Sequence, residues 1–350
     1  MKFHKTLFAF AVLLAACSED NDQHPSSPTW TKLGLDGKTI NEMQLSGSSL
    51  YVATTTGLFK RDLDAEANDF LPIGFNNKNV EALLVLGQNK IIVSLFEKDG
   101  SETPALYKSN NGGESWTSLD SNFGGEASEP IFDLAVRSDD ENILYATGYS
   151  VVAKSADQGE TWEPIYGDWG GFATGISVVE INPNETEEIW AGGQGAIENG
   201  FLIRSENESD WETWSDLAEN PSVVKEITFK QGNRENVLVG FEGVLVNSMD
   251  GGDSWQTLID SDDNRFYFGI CRSQDNPQTV YAGGWLKTPD PQPLKLFVSR
   301  NDGQSWEEFQ FQGETYGGIL EMQIKNEDDK DVIFLGLDKG GVYQITTPLL

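Results

Sequence analysis

Apolar runs too short for helices recur along the whole chain: Leu50–Thr54, Lys90–Leu95, Ile143–Thr147, Ile189–Gly192, Val237–Gly240, Val280–Gly283 and Ile333–Gly336. After a few polar or glycine residues each is followed by a second run: Leu58–Phe59, Leu106–Tyr107, Val151–Val152, Phe201–Ile203, Val244–Val246, Leu296–Val298 and Val342–Ile345. β-Branched and aromatic residues at hairpin spacing predict paired strands and argue against helix. Four of these units continue into one polar signature: Ser, any residue, Asp or Asn, any residue, Gly, any residue, Ser or Thr, Trp. Its copies run from Ser109 through Asn111 and Gly113 to Trp116, from Ser155 through Asp157 and Gly159 to Trp162, from Ser248 through Asp250 and Gly252 to Trp255, and from Ser299 through Asn301 and Gly303 to Trp306. A fifth, damaged copy lies between Ser205 and Trp214. Successive copies start roughly 43 to 51 residues apart, the spacing of propeller blades.

The first and last units are incomplete in complementary ways. Val342–Ile345 ends without a signature, while Trp30–Leu33 looks like the strand that follows each signature, as in Ser115–Leu119 and Ser254–Leu258. The expected fold is therefore all-β, a seven-bladed β-propeller over residues 29–350 in which the N-terminal strand closes the last blade and leaves no open inner edge.

Within the signature, the Ser, Thr, Asp and Asn side chains can bond nearby backbone N–H groups in a tight turn, Gly supplies a positive φ, and Trp buries its ring at the blade edge. Ligand or calcium binding by Asn111, Asp157, Asp250 and Asn301 is the competing reading. Recurrence from unit to unit favours turn building, because a ligand site is normally singular.

The signature resembles the Asp boxes, or bacterial neuraminidase repeats, of the sialidase superfamily, over most of residues 29–346. Arg272–Gly284 is also similar to a strand-turn-strand segment common in the propellers of photosystem II assembly factors, xyloglucan-degrading hydrolases and sortilin-like receptors. The resemblance implies the propeller but leaves activity open, since relatives include hydrolases, assembly factors and receptors. A sialidase resembling the family needs three arginines converging on a substrate carboxylate, a Tyr paired with Glu, and an acidic Asp. This chain has seven arginines and lacks the family's Arg-Ile-Pro segment; only Arg265 is expected on the face opposite the boxes, so sialidase activity is not expected. The related xyloglucan hydrolases use paired aspartates between two propellers, and this chain has length for one.

Composition narrows the partners. The formal charge of -32 argues against nucleic acid or anionic lipid, where every phosphate contact needs a cation. Residues 1–16 have the order of an export signal: Lys2 and Lys5, the apolar run Leu7–Leu14, then small residues before Cys17. Leu14–Cys17 matches the bacterial lipobox, so Cys17 resembles a lipoprotein's acylated first residue. Residues 17–28, acidic and then Pro- and Ser-rich, read as a solvated tether. The expected location is the outer membrane, facing outward as the acidic run behind Cys17 implies by resemblance to surface-export signals, or else facing the periplasm. Only Cys271 then remains as a thiol, so stability must come from the core and not from disulfides.

Candidate chemistry is sparse. His4 leaves with the signal and His24 sits in the tether, so neither a histidine base nor a histidine metal site is expected, and no cofactor motif is present. The acidic stretches Asp260–Asn264 and Asn326–Asp331 lack EF-hand spacing and read as solvated turns. Aromatic loops opposite the boxes are the one surface suited to a ligand: Tyr166, Asp168, Trp169 and Phe172 in one, then Arg265, Trp285 and Tyr316, with Phe123 in another. Flat rings beside carboxylates suit sugars, whose C–H faces stack while hydroxyls bond to acids. Packing of these rings as core is the competing reading. A monomeric, membrane-anchored binding or scaffold module for glycan or protein is expected, with a carboxylate-based glycoside hydrolase or lyase and an envelope-complex assembly factor as alternatives.

Overall fold

A computed structural model describes residues 28–65, 69–87, 89–96, 106–120, 130–167, 175–195, 199–215, 217–218, 222–260, 265–327 and 330–348. The signal, Cys17, the tether up to residue 27, Phe123, Asp168, Trp169 and Phe172 lie outside them.

Among the described residues, twenty-eight strands form seven four-stranded antiparallel sheets. Strand β1 (Thr29–Gly34) precedes blade 1, which is β2 (Ile40–Ser46), β3 (Ser49–Thr54), β4 (Gly57–Asp62) and β5 (Leu71–Gly74). Blade 2 is β6 (Val80–Leu86), β7 (Lys90–Leu95), β8 (Leu106–Ser109) and β9 (Thr117–Ser118). Blade 3 is β10 (Asp133–Arg137), β11 (Asp140–Gly148), β12 (Val151–Ser155) and β13 (Glu163–Gly167). Blade 4 is β14 (Gly175–Ile181), β15 (Ile189–Gln194), β16 (Gly200–Ser205) and β17 (Glu212–Trp214). Blade 5 is β18 (Glu226–Lys230), β19 (Asn233–Gly240), β20 (Val244–Ser248) and β21 (Gln256–Asp260). Blade 6 is β22 (Phe266–Arg272), β23 (Val280–Trp285), β24 (Lys295–Ser299) and β25 (Glu307–Gln310). Blade 7 takes β26 (Ile319–Glu327), β27 (Lys330–Leu337) and β28 (Gly341–Pro348) from the end of the chain.

Its fourth strand is β1, paired antiparallel to β28 with Trp30 opposite Ile345. The first strands of successive blades contact one another around a closed ring, β26 meeting β2, so they line the axis. The apolar runs of the sequence are the second and third strands of each blade, where residues facing both neighbouring blades must be buried. Seven apolar clusters result, one in each gap between blades: Tyr51 and Val93 join blades 1 and 2, and Val342 and Ile40 join blades 7 and 1.

The repeated signature forms one turn four times. In blade 5 the Ser248 hydroxyl donates to Asp250 Oδ1 at 2.9 Å and accepts from Gly252 N at 2.8 Å, while Asp250 Oδ1 and Oδ2 accept from the Ser254 amide and hydroxyl at 2.8 and 2.5 Å. Ser155 and Asp157 repeat these bonds with Gly159 and Thr161. Where Asn replaces Asp, at 111 and 301, the amide nitrogen instead donates to the Ser115 or Ser305 hydroxyl at 2.9 Å. The glycine has φ between 83° and 104° in all four copies, a conformation L side chains resist. The Ser254 hydroxyl and amide hold the Asp250 carboxyl below its usual range.

The tryptophan of the turn docks on the outer strand of the preceding blade. Trp116 Nε1 donates to Ile73 O at 3.2 Å and its ring covers Gly74, where a Cβ would lie 2.8 Å from Nε1. In the damaged copy this role belongs to Trp211, whose Nε1 donates to Ile165 O at 3.1 Å; the turn is one residue shorter, and Glu208 has the positive φ that Gln158 and Asp302 have at the same place, ahead of the glycine, in other copies. Trp214, the expected end of that copy, lies in β17 and stacks on Trp190 with centroids 5.3 Å apart. Asp331 departs from the expected solvated turn: it is fully buried and accepts from Tyr281 OH at 2.6 Å and Ser273 Oγ at 2.9 Å across blades 6 and 7.

Candidate functional site

Antiparallel order gives the ring two faces. The box turns and the hairpins between first and second strands share one; the loops between second and third strands, and those from blade to blade, share the other.

On that second face, two loops of blade 6 are tied together. The amide of Leu286 donates to Gln292 Oε1 at 2.8 Å and Gln292 Nε2 donates back to Leu286 O at 2.9 Å, which fixes the loop after Trp285. Gln292 N then donates to Thr315 O, Gly317 N donates to Gln292 O, and Gln292 bridges to Tyr316 as a parallel pair. Between the loops is a recess of ≈ 360 Å³ lined by Pro291, Gln292, Pro293, Gln310, Glu314 and Thr315.

Trp285 and Tyr316 flank this arrangement. The half-buried Trp285 ring lies over Gly318, where a Cβ would come within 2.0 Å of Cδ1, and against Phe266 and Phe268 at 5.5 and 6.2 Å. Its indole N–H is itself buried and has no hydrogen-bond partner among the described residues. Tyr316 is 38% exposed, one of three large apolar side chains so placed among the described residues, and Lys339 Nζ sits 5.9 Å from its ring centre. The remaining described candidates are taken up by the fold. Arg265 is buried, its stem crossing Gly284, where a Cβ would lie 2.3 Å from Cδ. Tyr166, three blades away in β13, packs against Trp211 at 5.0 Å in the core between blades 3 and 4. Six of the seven arginines are engaged separately, at Leu33 O, Asp139, Glu212, Glu188 with Glu206, Asp302 and Glu307.

A second set of side chains, absent from the sequence expectation, lines the axis. Glu42, Asp133, Glu226 and Glu321 occupy one layer of the first strands in blades 1, 3, 5 and 7, and Glu180 lies nearby in blade 4. Glu42 Oε2 accepts from Leu83 N at 2.6 Å and Asp133 Oδ2 from Val179 N at 2.8 Å, so each serves the otherwise unpaired inner edge of the next blade. These side chains are half-buried by accessibility, because they face the channel, yet protein surrounds them. Burial pushes the Asp133 carboxyl up to about 6 and the Glu321 carboxyl up to about 8. Burial, reinforced by the neighbouring carboxylates, also raises Glu42, Glu180 and Glu226. A cavity of ≈ 370 Å³ opens from this layer on the box side, between Glu180, Glu226, Phe229, Cys271 and Met322. The legible signal was apolar, any residue, acid, apolar: Ile40–Met43, Ile131–Leu134, Val224–Ile227 and Ile319–Met322 recur at every second blade.

The fold and its faces define a seven-bladed propeller of four-stranded blades. Solved structures of similar fold include YCF48 bound to D1 peptide, with a TM-score of 0.63, 14% identity and coverage of 93% of this chain and 98% of that one. The GH74 xyloglucanase from Xanthomonas campestris matches with a TM-score of 0.69 and 15% identity over 92% of this chain, which spans 54% of the enzyme. The extracellular domain of a one component system from B. thetaiotaomicron matches with a TM-score of 0.64 and 12% identity over 92% of this chain and 40% of that one. No protein-family model and no curated protein sequence matches the chain.

Proposed function

We propose that this chain is an exported binding propeller, anchored in the outer membrane through acylated Cys17, that recognises a saccharide through the blade 6 face between Trp285 and Tyr316. The observation that carries the reading is the recess between two mutually tied loops, with the exposed aromatic ring of Tyr316 beside it. Amide, hydroxyl and carboxylate groups of Gln310, Thr315 and Glu314 supply the polar contacts sugar hydroxyls need, and the Tyr316 ring supplies stacking surface. Fixed loops lower the ordering cost of binding.

A protein ligand is the second reading, favoured by the likeness of nearly the whole chain to YCF48, whose solved complex contains D1 peptide. Isothermal calorimetry against a panel of plant and host oligosaccharides, run beside an envelope-peptide array, separates the two. Tyr316→Ala is the informative variant because its ring is exposed and its loss spares the core; stacking loss is expected to weaken saccharide binding about tenfold. Saccharide binding unchanged in this variant, or binding confined to peptides, removes the glycan reading. Product release from the same polysaccharides would move the assignment to a carboxylate-based hydrolase.

A further inference from the structure

On the box face of blade 5, far from the recess, a methionine sulfur is held in a manner out of proportion to its chemistry. Met249, the residue after the Ser248 of the turn, is 52% exposed. Two side-chain amides donate to its sulfur: Asn236 Nδ2 at 3.0 Å and Asn247 Nδ2 at 3.1 Å. Both asparagines are buried, and a thioether is a weak acceptor for buried N–H groups. The orientation of Asn236 is set by its other end. Arg272 donates to Asn236 Oδ1 at 2.8 Å and to Asp302 Oδ1 at 2.9 Å, and Lys230 donates to Asp302 Oδ2 at 2.6 Å. With Oδ1 committed to a guanidinium, Nδ2 of Asn236 must face the sulfur. Asn247 is less constrained, since its Oδ1 has no hydrogen-bond partner among the described residues.

We propose that Met249 is an oxidation site whose methionine sulfoxide is received by Asn236 and Asn247. In the reaction a sulfur lone pair attacks the distal oxygen of a hydroperoxide. The O–O bond breaks, the S–O bond forms, and with proton transfer the leaving oxygen departs as water from hydrogen peroxide or as an alcohol from an organic hydroperoxide. Sulfur is oxidised by two electrons and the peroxide is reduced by two. Asn247 swings aside to free a lone pair and then returns to the new oxygen, a far stronger acceptor than the thioether it replaces. Sulfoxidation commonly disrupts packing by making an apolar side chain polar. Here the oxygen forms on the side that Asn247 vacates, beside the Asn236 amide that Arg272 holds in place, so the modified turn stays tied to the Arg272 network that joins blades 5 and 6.

The test is a hydrogen peroxide titration of the purified chain, followed by peptide mass spectrometry and by the side-chain amide resonances of a ¹⁵N-labelled sample. Met249 is expected to oxidise at least about tenfold faster than Met43 and Met322, which are 1% and 4% exposed, with the Asn236 and Asn247 amide protons moving downfield together. Comparable rates at Met43 or Met322, or unshifted amides after Met249 is oxidised, overturn the proposal. Asn247→Ala keeps the locked Asn236 and removes one donor; after oxidation it is expected to melt lower, relative to its own reduced form, than oxidised wild type does. Equal changes in melting midpoint also overturn it.

Discussion

Replacing Asp133 by Asn should leave the protein about as stable near pH 4.5 and make it more stable in mild alkali, and that divergence tests the reading of the axial carboxyl layer. The native pKa of Asp133 is raised to about 6 from 3.8, mainly by burial, against the pull of its bonds from the Val179 and Leu134 amides. A carboxyl whose native pKa exceeds its unfolded value contributes fully below the unfolded pKa, and that contribution is lost as pH rises through the native one. Two protonation equilibria about two units apart give a wild-type loss of about 2 kcal/mol between about pH 4.5 and about pH 8.

Asn cannot ionise, so the variant lacks this loss. It has one acceptor oxygen where ionised Asp133 uses Oδ1 for Leu134 N and Oδ2 for Val179 N, a limit that protonated Asp133 shares near pH 4.5. Neighbouring shifts act in the same direction as the main effect, because the Asp133 charge raises Glu42, Glu180, Glu226 and Glu321 and its removal lowers all four. Lys225, which steadies the Asp133 anion, is left without that partner in the variant and trims the gain. Urea unfolding followed by tryptophan fluorescence, for both proteins at the two pH values, gives the double difference directly. Carboxylates held low elsewhere, such as Asp250, cancel between the two proteins. A double difference below about 0.5 kcal/mol, or of opposite sign, would refute the burial of that charge.

Three further outcomes are expected. Trp30→Ala removes a half-buried ring that packs on Phe311 with centroids 5.8 Å apart; it should cost roughly 2 to 3 kcal/mol, and deletion of residues 29–34 should abolish cooperative unfolding, both read by calorimetry. Gly303→Ala combines φ +83° with a Cβ 2.3 Å from Leu258 Cδ1, and a loss of about 2 kcal/mol is expected, against about 1 for Gly251→Ala, whose nearest neighbour is the Arg204 guanidinium at 3.3 Å. Tyr281→Phe strips a donor from buried Asp331 and a partner from Thr347, with an expected cost of about 1 to 3 kcal/mol in denaturant unfolding; a neutral result would mean the Tyr281 hydroxyl adds nothing net to the seam between blades 6 and 7.

The box turns were legible because they are local: Ser248, Asp250, Gly252 and Ser254 satisfy one another within seven residues, so their order alone encodes the geometry. The closing strand was legible through the likeness of Trp30–Leu33 to the segment after each box, and it pairs as that likeness required. The axial strands were harder to read. A first strand faces the channel along one edge, so Glu42 and Asp133 alternate with apolar neighbours as a solvent-facing strand would, and nothing local distinguishes a channel from bulk water. Trp211 was obscured by a missing residue that shifts it against the other four copies. Tyr166 and Trp285 looked equivalent as loop aromatics; only the partner blade decides that one meets Trp211 and the other meets Gly318.

The division between repeated and singular residues carries the functional argument. In each copy of the box the Ser and Asp or Asn polar atoms bond within the turn, so the residues the chain repeats most faithfully have little left for a ligand. The recognition proposed above would then draw on what the repeat does not supply. The long loop after Trp285, the Gln292 tie and exposed Tyr316 break the sevenfold pattern on one face, and the Met249 thioether between two amides breaks it on the other. A propeller pins each such departure on two flanking blades, and that rigidity lets a loop insertion or a single side chain become a site without disturbing the ring that holds it.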